Sequence, residues 1–198
     1  ELLFPPAISM EQCSSEITAL YKTSLVKGNS VIDLTGGFGI DLSFITKNFE
    51  NGTYVEQNEW LCALAKHNYS KLGRSTEVKN LKAVDALSEL QNVDLIYLDP
   101  TRRDAASKKV IRLEDYSPNV LSLLHQLLSK SKQFMLKVSP MFDIKLGIEQ
   151  LQYVNEVHVV SVKNEVKELL FLGSNKANEQ PKVLCVNLDT DQPDFDFS

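Results

Sequence analysis

The 198-residue sequence is poor in several residue types that specialised protein classes depend on. It has three cysteines, Cys13, Cys62 and Cys185, odd in number and far apart. That argues against a disulfide framework. Without any Cys-x-x-Cys or His-x-x-x-His pair, a zinc site is not expected either. A reducing cytoplasm is the expected compartment. No apolar run approaches the roughly 18 residues of a membrane span, so no membrane partner is expected. No charged-then-apolar leader follows Glu1, and a start at Glu rather than Met suggests processing or, the favoured expectation, an excised piece of a longer protein. Basic residues are outnumbered 21 to 26, for a net charge of −5. That argues against a generic nucleic-acid coat while leaving room for a local basic patch. There is no internal repeat and no low-complexity tract. What remains, 43% apolar and 24% charged, suits one soluble α/β domain.

Apolar periodicity organises the chain. Ser9 with Gln12 reads as a capping box, and Cys13, Ile17, Leu20, Tyr21 and Leu25 recur at helical spacing, predicting a helix over about 10–27 that ends at Gly28-Asn29. Val31–Leu34 is a short apolar run stopping at glycines, as a buried parallel strand does. Ile40, Phe44 and Ile45 resume a helix. Residues 52–56 read as a second strand and 58–72 as a helix with Leu61, Leu64, Ala65 and Leu72 inward. A third strand is expected near 81–84 and a fourth at 93–98. Ser117-Pro118 is expected to cap a helix carrying Val120, Leu123, Leu124 and Leu127. Residues 133–138 give a fifth strand, and Asp143 opens a short helix. Runs 154–162 and 168–172, joined by 163–167, suggest an antiparallel hairpin. Residues 183–188 read as one more strand and the last ten as a linker or frayed end. Such alternation implies a Rossmann-like, doubly wound α/β fold with a mostly parallel sheet and a C-terminal antiparallel hairpin. The expected divisions are an N-terminal helical segment (1–28), a core (29–174) and an extra strand with an acidic tail or linker (175–198).

Ligands of parallel α/β sheets bind beyond the carboxyl ends of the strands. Asp33 with Thr35, Gly36, Gly37 and Gly39, then Glu56, Asp85 and Asp99-Pro100 fall at the first four expected ends, and Lys137 closes the fifth. Glycines let backbone approach a ligand without Cβ clashes. Glu56 follows Asp33 by about 20 residues, the interval at which a carboxylate meets a ribose. Asp85 is placed to accept from an adenine amine. Acids at four strand ends in register point to a nucleoside cofactor.

Segment 31–41, VIDLTGGFGID, resembles the first motif of class I S-adenosylmethionine-dependent methyltransferases, with Thr35 at the first glycine position and Gly37 and Gly39 at the other two. Thr followed by Gly-x-Gly-x-Asp is similar to bacterial RNA methyltransferases, including guanine-N2 enzymes of 16S ribosomal RNA. The segments 11–16 (EQCSSE), 99–103 (DPTRR) and 165–168 (EVKE) are similar to a bacterial group in which the methyltransferase core is fused to a THUMP-like RNA-binding domain. The resemblance implies the class I fold, S-adenosylmethionine as cofactor, an RNA substrate and a flanking RNA-recognition domain outside these 198 residues. It implies that Asp33 anchors the methionine amino group and that Gly36, Gly37 and Gly39 line methionine and ribose. Glu56 would hold the ribose, and Asp85 with Ala86 the adenine. Asp99 and Pro100 stand where amino-methylating enzymes carry (Asp/Asn)-Pro-Pro-aromatic. Here Thr101 replaces the second proline and Arg102 the aromatic.

Residues 101–113 hold Arg102, Arg103, Lys108, Lys109 and Arg112 against the single acid Asp104. Directly after Asp99, this run reads as a substrate-phosphate contact, or else as a solvated loop. Arg102 can stack on a base or clamp a phosphate. Lys137 is a catalytic candidate, facing substrate or the Asp99 carboxylate, or a plain ion pair. Trp60 borders the adenine or belongs to the core. His67 and His125 read as structural, and His158 as inert on an edge hairpin. Two other functions remain open on the residues: a module of the same fold that binds cofactor or RNA without catalysis, and a nicotinamide oxidoreductase. The second expects Gly-x-Gly-x-x-Gly, and Leu42 stands at its third glycine.

Overall fold

The computed structural model describes residues 1–4, 13–102, 112–176 and 180–197. Two compact units make up the chain, Glu1–Tyr97 and Leu98–Ser198.

In the first unit, helix α1 (Glu16–Ser24) is followed by β1 (Gly28–Asp33), α2 (Ile40–Ile45), β2 (Phe49–Glu56), α3 (Glu59–Lys71), β3 (Thr76–Asn80), α4 (Ala83–Glu89) and β4 (Val93–Leu98), which ends at the unit boundary. The strands lie in the order β4-β1-β2-β3. All three pairings are parallel, with Asp33 opposite Tyr97 on one side of β1 and Tyr54 on the other. Val31, Ile32, Leu95 and Ile96 are essentially fully buried at its centre, the continuous apolar runs that strands covered on both faces require.

The structure corrects several expectations here. The capping box expected at Ser9 lies outside the described residues. The helix expected over about 10–27 runs Glu16–Ser24, with residues 13–15 outside it and Ser15 as its cap, accepting from the Thr18 amide. Its inward face is Thr18, Ala19, Lys22 and Thr23, while Leu20 is exposed. A polar, charged face turns inward because it meets a buried carboxylate, Asp41. The third strand is not near 81–84 but at Thr76–Asn80, a half-exposed sheet edge whose residues need not be apolar. Residues 83–89 are helix α4 instead, with Ala83, Ala86 and Leu87 inward at helical spacing. On α3, Leu72 is exposed and Cys62 and Tyr69 join Leu64 and Ala65 in the core.

In the second unit, β5 (Thr101–Arg102) pairs antiparallel with β6 (Tyr116–Ser117). Ser117 is therefore part of a ladder, and the cap of helix α5 (Val120–Lys130) falls to Asn119, whose side chain accepts from the Leu121 and Ser122 amides. Strand β7 (Ser131–Val138), helix α6 (Ile144–Leu151), and strands β8 (Val154–Val162), β9 (Glu165–Ser174), β10 (Lys182–Leu188) and β11 (Phe195–Phe197) complete it. Asp143 caps α6 through the Leu146 amide. The sheet order is β7-β9-β8-β10-β11. The hairpin connection is two residues rather than five: Lys163 and Asn164 both have positive φ, as a type I′ turn requires. The expected frayed end instead contributes β11, antiparallel to β10. Phe134, Met135, Leu136, Leu170 and Phe171 form the core of this unit, and Phe171 meets Phe142 edge-on with centroids 6.0 Å apart. His158 is not on an edge: β8 lies between β9 and β10, and the ring is buried with Nε2 3.2 Å from Glu156 Oε2. Among the described residues, no helix is long and apolar enough to cross a membrane.

Burial pushes the His158 pKa down, against the opposing pull of Glu156. The unfolded chain then takes up a proton near pH 6.5 that the folded chain refuses, so stability is lost as pH falls below about 6.5. Replacing His158 by Phe should flatten this part of the profile in urea unfolding between about pH 6.5 and 5; an unchanged slope would show that His158 titrates alike in both states.

Candidate functional site

The segment after β1 is a turn held from several sides. The Leu34 amide donates to the Tyr97 carbonyl at 3.1 Å and the Gly36 amide to the Val55 carbonyl at 2.8 Å, so the turn hangs between β4 and β2. The Asp33 carboxylate, 2% exposed, accepts from the Thr35 amide (2.9 Å) and hydroxyl (3.2 Å). Its visible work is to shape the turn. Beneath it, Tyr54 donates to the Gly37 carbonyl at 2.5 Å and Tyr69 to the Gly39 carbonyl at 3.0 Å. The two rings meet edge-on at 5.8 Å. Burial, reinforced by nearby carboxylates that include Asp33, pushes both phenol pKa values up, so both remain hydrogen-bond donors.

The three glycines separate by role. A Cβ on Gly36 would run into the Tyr54 ring and one on Gly39 into the Tyr69 hydroxyl, whereas Gly37, at φ +52°, has only the Thr35 carbonyl, 3.7 Å from where its Cβ would be. Gly36 and Gly39 are glycine because of what lies below. Gly37 leaves an open approach to the turn. Beside it, Glu56 at the end of β2 accepts from the Gly37 amide (Oε2, 3.1 Å) and the Asn58 amide (Oε1, 2.9 Å). Each carboxylate oxygen offers two acceptor directions, so Glu56 is both oriented and able to take further donors.

Around Glu56, the Cys62 thiol (3.2 Å) and the Asn80 side chain (2.9 Å) both donate to its backbone carbonyl, and burial leads the factors that raise the thiol pKa. Asn80, not an acid, ends β3. Asp85 lies exposed in the first turn of α4, and Ala86 faces the core. Trp60 is half-exposed at the start of α3 and lines a cleft of about 280 Å³ with Leu3, Phe4, Ala63 and Leu64. His67 contacts the Glu1 carbonyl, and His125 is exposed on α5.

In the second unit, Lys137 on β7 donates to Asp99 at 2.6 Å, with the lysine side chain 12% and the aspartate 36% exposed. Pro100 is buried. Arg102 sits opposite Tyr116 in the β5–β6 ladder. Tyr116 is a residue that sequence reasoning passed over: a buried aromatic that meets Phe142 edge-on at 6.2 Å and whose hydroxyl pKa, raised by burial, also feels Arg102 and Asp99. The Ser139 backbone opposes that rise by hydrogen bonding to the hydroxyl, while Arg102 Nε is buried with no hydrogen-bond partner among the described residues. Tyr116 brings an aromatic ring to the stretch that lacks one after Asp99-Pro100, but from 17 residues downstream. No local motif flags it. Arg103, Lys108 and Lys109 lie outside the described residues.

A likeness to solved structures now bears on this arrangement. A candidate methyltransferase of Porphyromonas gingivalis W83 matches over 100% of this chain and 51% of its own, with 33% sequence identity and a TM-score of 0.87. The chain thus spans about half the length of that protein. TrmK of M. capricolum, solved in complex with S-adenosyl-homocysteine, matches at TM-score 0.60 over 83% of this chain and 73% of its own, with 11% identity. An rRNA methylase of Streptococcus thermophilus matches at 0.56 over 88% and 99%, with 14% identity. The fold is that of the class I methyltransferases. No family model and no curated protein sequence matches the chain.

Within this methyltransferase fold, Tyr54 supports the turn directly. Tyr54→Phe removes the donor to the Gly37 carbonyl and should cost about 1–2 kcal/mol in urea unfolding, the range for a lost buried hydrogen bond. A stability equal to wild type would show that the hydroxyl does not hold the turn.

Proposed function

We propose that this chain binds S-adenosylmethionine at the glycine turn and catalyses methyl transfer to RNA. The observation that carries the cofactor reading is the Glu56 carboxylate, held by the Gly37 and Asn58 amides beside the open face of Gly37, on a class I methyltransferase fold. A fixed carboxylate with acceptor capacity to spare fits a ribose diol. A glycine with only the Thr35 carbonyl, among the described residues, near its would-be Cβ fits close approach of the methionine portion. Thr35, Gly36 and Gly39 hold the turn's shape, Asp33 fixes Thr35, and Asp85 is the candidate for the adenine amine.

When bound, the cofactor supplies an electrophilic methyl carbon. Held by Glu56 and the Gly37 turn, it would offer that carbon to the acceptor with its sulfur as the leaving group, and the proton lost by the acceptor amine would pass to solvent. Asp99 accepts an N–H of the target amine and so aims its lone pair. Lys137 holds the Asp99 carboxylate in one orientation. Pro100, buried beside it, limits backbone freedom there. Preorganisation of this kind, rather than covalent chemistry, is what alignment of two reactants demands.

The RNA reading rests on charge and on the resemblance of motifs. Arg102, Arg103, Lys108, Lys109 and Arg112 give a cationic stretch directly after Asp99-Pro100 in an otherwise acidic chain, suited to phosphates. A flanking RNA-recognition domain belongs to the same proposal.

Two measurements test these assignments. In calorimetry with S-adenosylhomocysteine, Glu56→Ala should bind more weakly by about 2–3 kcal/mol, the scale for hydrogen bonds to a charged group. Equal affinity would remove Glu56 from the site. In transfer of labelled methyl to total RNA, Asp99→Ala should cut turnover strongly yet leave cofactor affinity within about threefold, the pattern of a group used mainly in the transition state. RNA left unlabelled by the full-length wild-type protein would reject the RNA reading.

A further inference from the structure

Behind the glycine turn lies a buried ionic cluster that no part of the methyl-transfer reading uses. Lys22, in the last turn of α1, is 0% exposed. Its ammonium lies 3.2 Å from Asp41 Oδ1 and donates to Ser14 Oγ at 3.1 Å. Ser14 in turn donates to Asp41 Oδ2 at 2.9 Å, and Tyr97 donates to the same oxygen at 2.6 Å. Asp41 is the second residue of α2, two positions after Gly39, the left-handed cap of that helix. Tyr97 is the residue of β4 in register with Asp33, and its carbonyl takes the Leu34 amide. One carboxylate therefore gathers the segment before α1, α1 itself, the start of α2 and the end of β4, all around the turn.

Stability alone is a poor reason for this arrangement. Removing two charges from water is costly, and well-packed apolar residues of the same size often serve as well or better. The docked face of α1 is largely polar: Thr18, Lys22 and Thr23 point in beside Ala19, while Leu20 points to solvent. A charge pair has directional demands that an apolar contact lacks. It specifies where α1 and α2 sit.

We propose that Lys22 is a positioning residue of the cofactor site. Its ammonium holds the buried Asp41 carboxylate in place, and Asp41, tied to Tyr97, sets the start of α2 and with it the Gly37–Gly39 backbone. The proposal rests on the reading that this turn binds S-adenosylmethionine.

The test compares Lys22→Met, the charge-neutral pair Lys22→Met/Asp41→Asn, and the milder Ser14→Ala, which keeps both charges but removes the hydroxyl that bridges them and fixes their geometry. Thermal unfolding and S-adenosylhomocysteine calorimetry are run on each, the latter well below the unfolding temperature. A positioning role predicts that the folded Lys22 variants bind about tenfold more weakly or worse, and that the charge-neutral pair regains stability without regaining affinity. Turnover at saturating cofactor should fall less than the rise in KM for cofactor. A purely structural pair predicts lowered unfolding temperatures with affinity within about twofold of wild type, and that result overturns the proposal. Should neither Lys22 variant fold, Ser14→Ala decides: a several-fold loss of affinity supports the positioning role, and unchanged affinity overturns it. Wild-type protein that binds no S-adenosylhomocysteine rejects the cofactor reading and this inference together, whereas normal wild-type binding with unaffected variants rejects this inference alone.

Discussion

The geometry of the first unit depends on two tyrosine hydroxyls under one turn. Tyr54 and Tyr69 reach the carbonyls of Gly37 and Gly39 from below. Their rings occupy the space that side chains at 36 and 39 would need. Burial keeps both phenols protonated, so they act only as donors towards the turn. The consequence is a loop with a rigid floor and one open face, at Gly37. Glu56 is oriented by the same loop, through the Gly37 amide. Floor, turn and carboxylate are thus one hydrogen-bonded object, and a ligand that meets it finds its polar partners already placed. Such preorganisation reduces what binding must spend on ordering.

The second unit arranges its polar groups differently. Asp99 and Lys137 form a close, partly exposed pair. Next in the chain, the short β5–β6 ladder sets Arg102 across from Tyr116, whose ring is wedged against Phe142 and, through it, Phe171. A guanidinium nitrogen buried without a partner among the described residues is costly for a fold to keep. Its presence near an acidic residue sets this stretch apart from the core of Phe134, Met135 and Leu136.

Much of the fold is legible in the residues because local chemistry is strong there. Val31–Leu34 and Val93–Leu98 are apolar runs that only a buried strand uses well, and both are strands. Asp143 before a helical repeat is a cap, and it caps. The misplacements have a common cause. At 76–80 an edge strand carries Thr, Glu, Lys and Asn because one side faces solvent, so apolar content pointed to 81–84 instead, where Ala83, Ala86 and Leu87 make a helix. Asp85 consequently sits in a helical turn, and Asn80 ends the strand. At α1, Leu20 looked inward because it is apolar, yet the partner surface is a carboxylate. In the hairpin, Lys163 and Asn164 alone make the turn, because a turn of that type needs two left-handed residues and nothing more.

The sequence by itself determined where glycines permit close backbone approach, where an acid ends β2, and where Asp99-Pro100 follows β4. Each of these is set by residues a few positions apart, and short-range sterics and periodicity suffice to read them. Only the tertiary structure decided that Tyr54 and Tyr69 share a turn, that Lys22 and Tyr97 converge on Asp41, that Lys137 meets Asp99, and that Tyr116 faces Arg102. Those partners are brought together by strand register and helix docking across long stretches of chain. A hydrogen bond or ion pair forms only within about 3 Å, a condition that chain folding meets and that spacing along the sequence does not reveal.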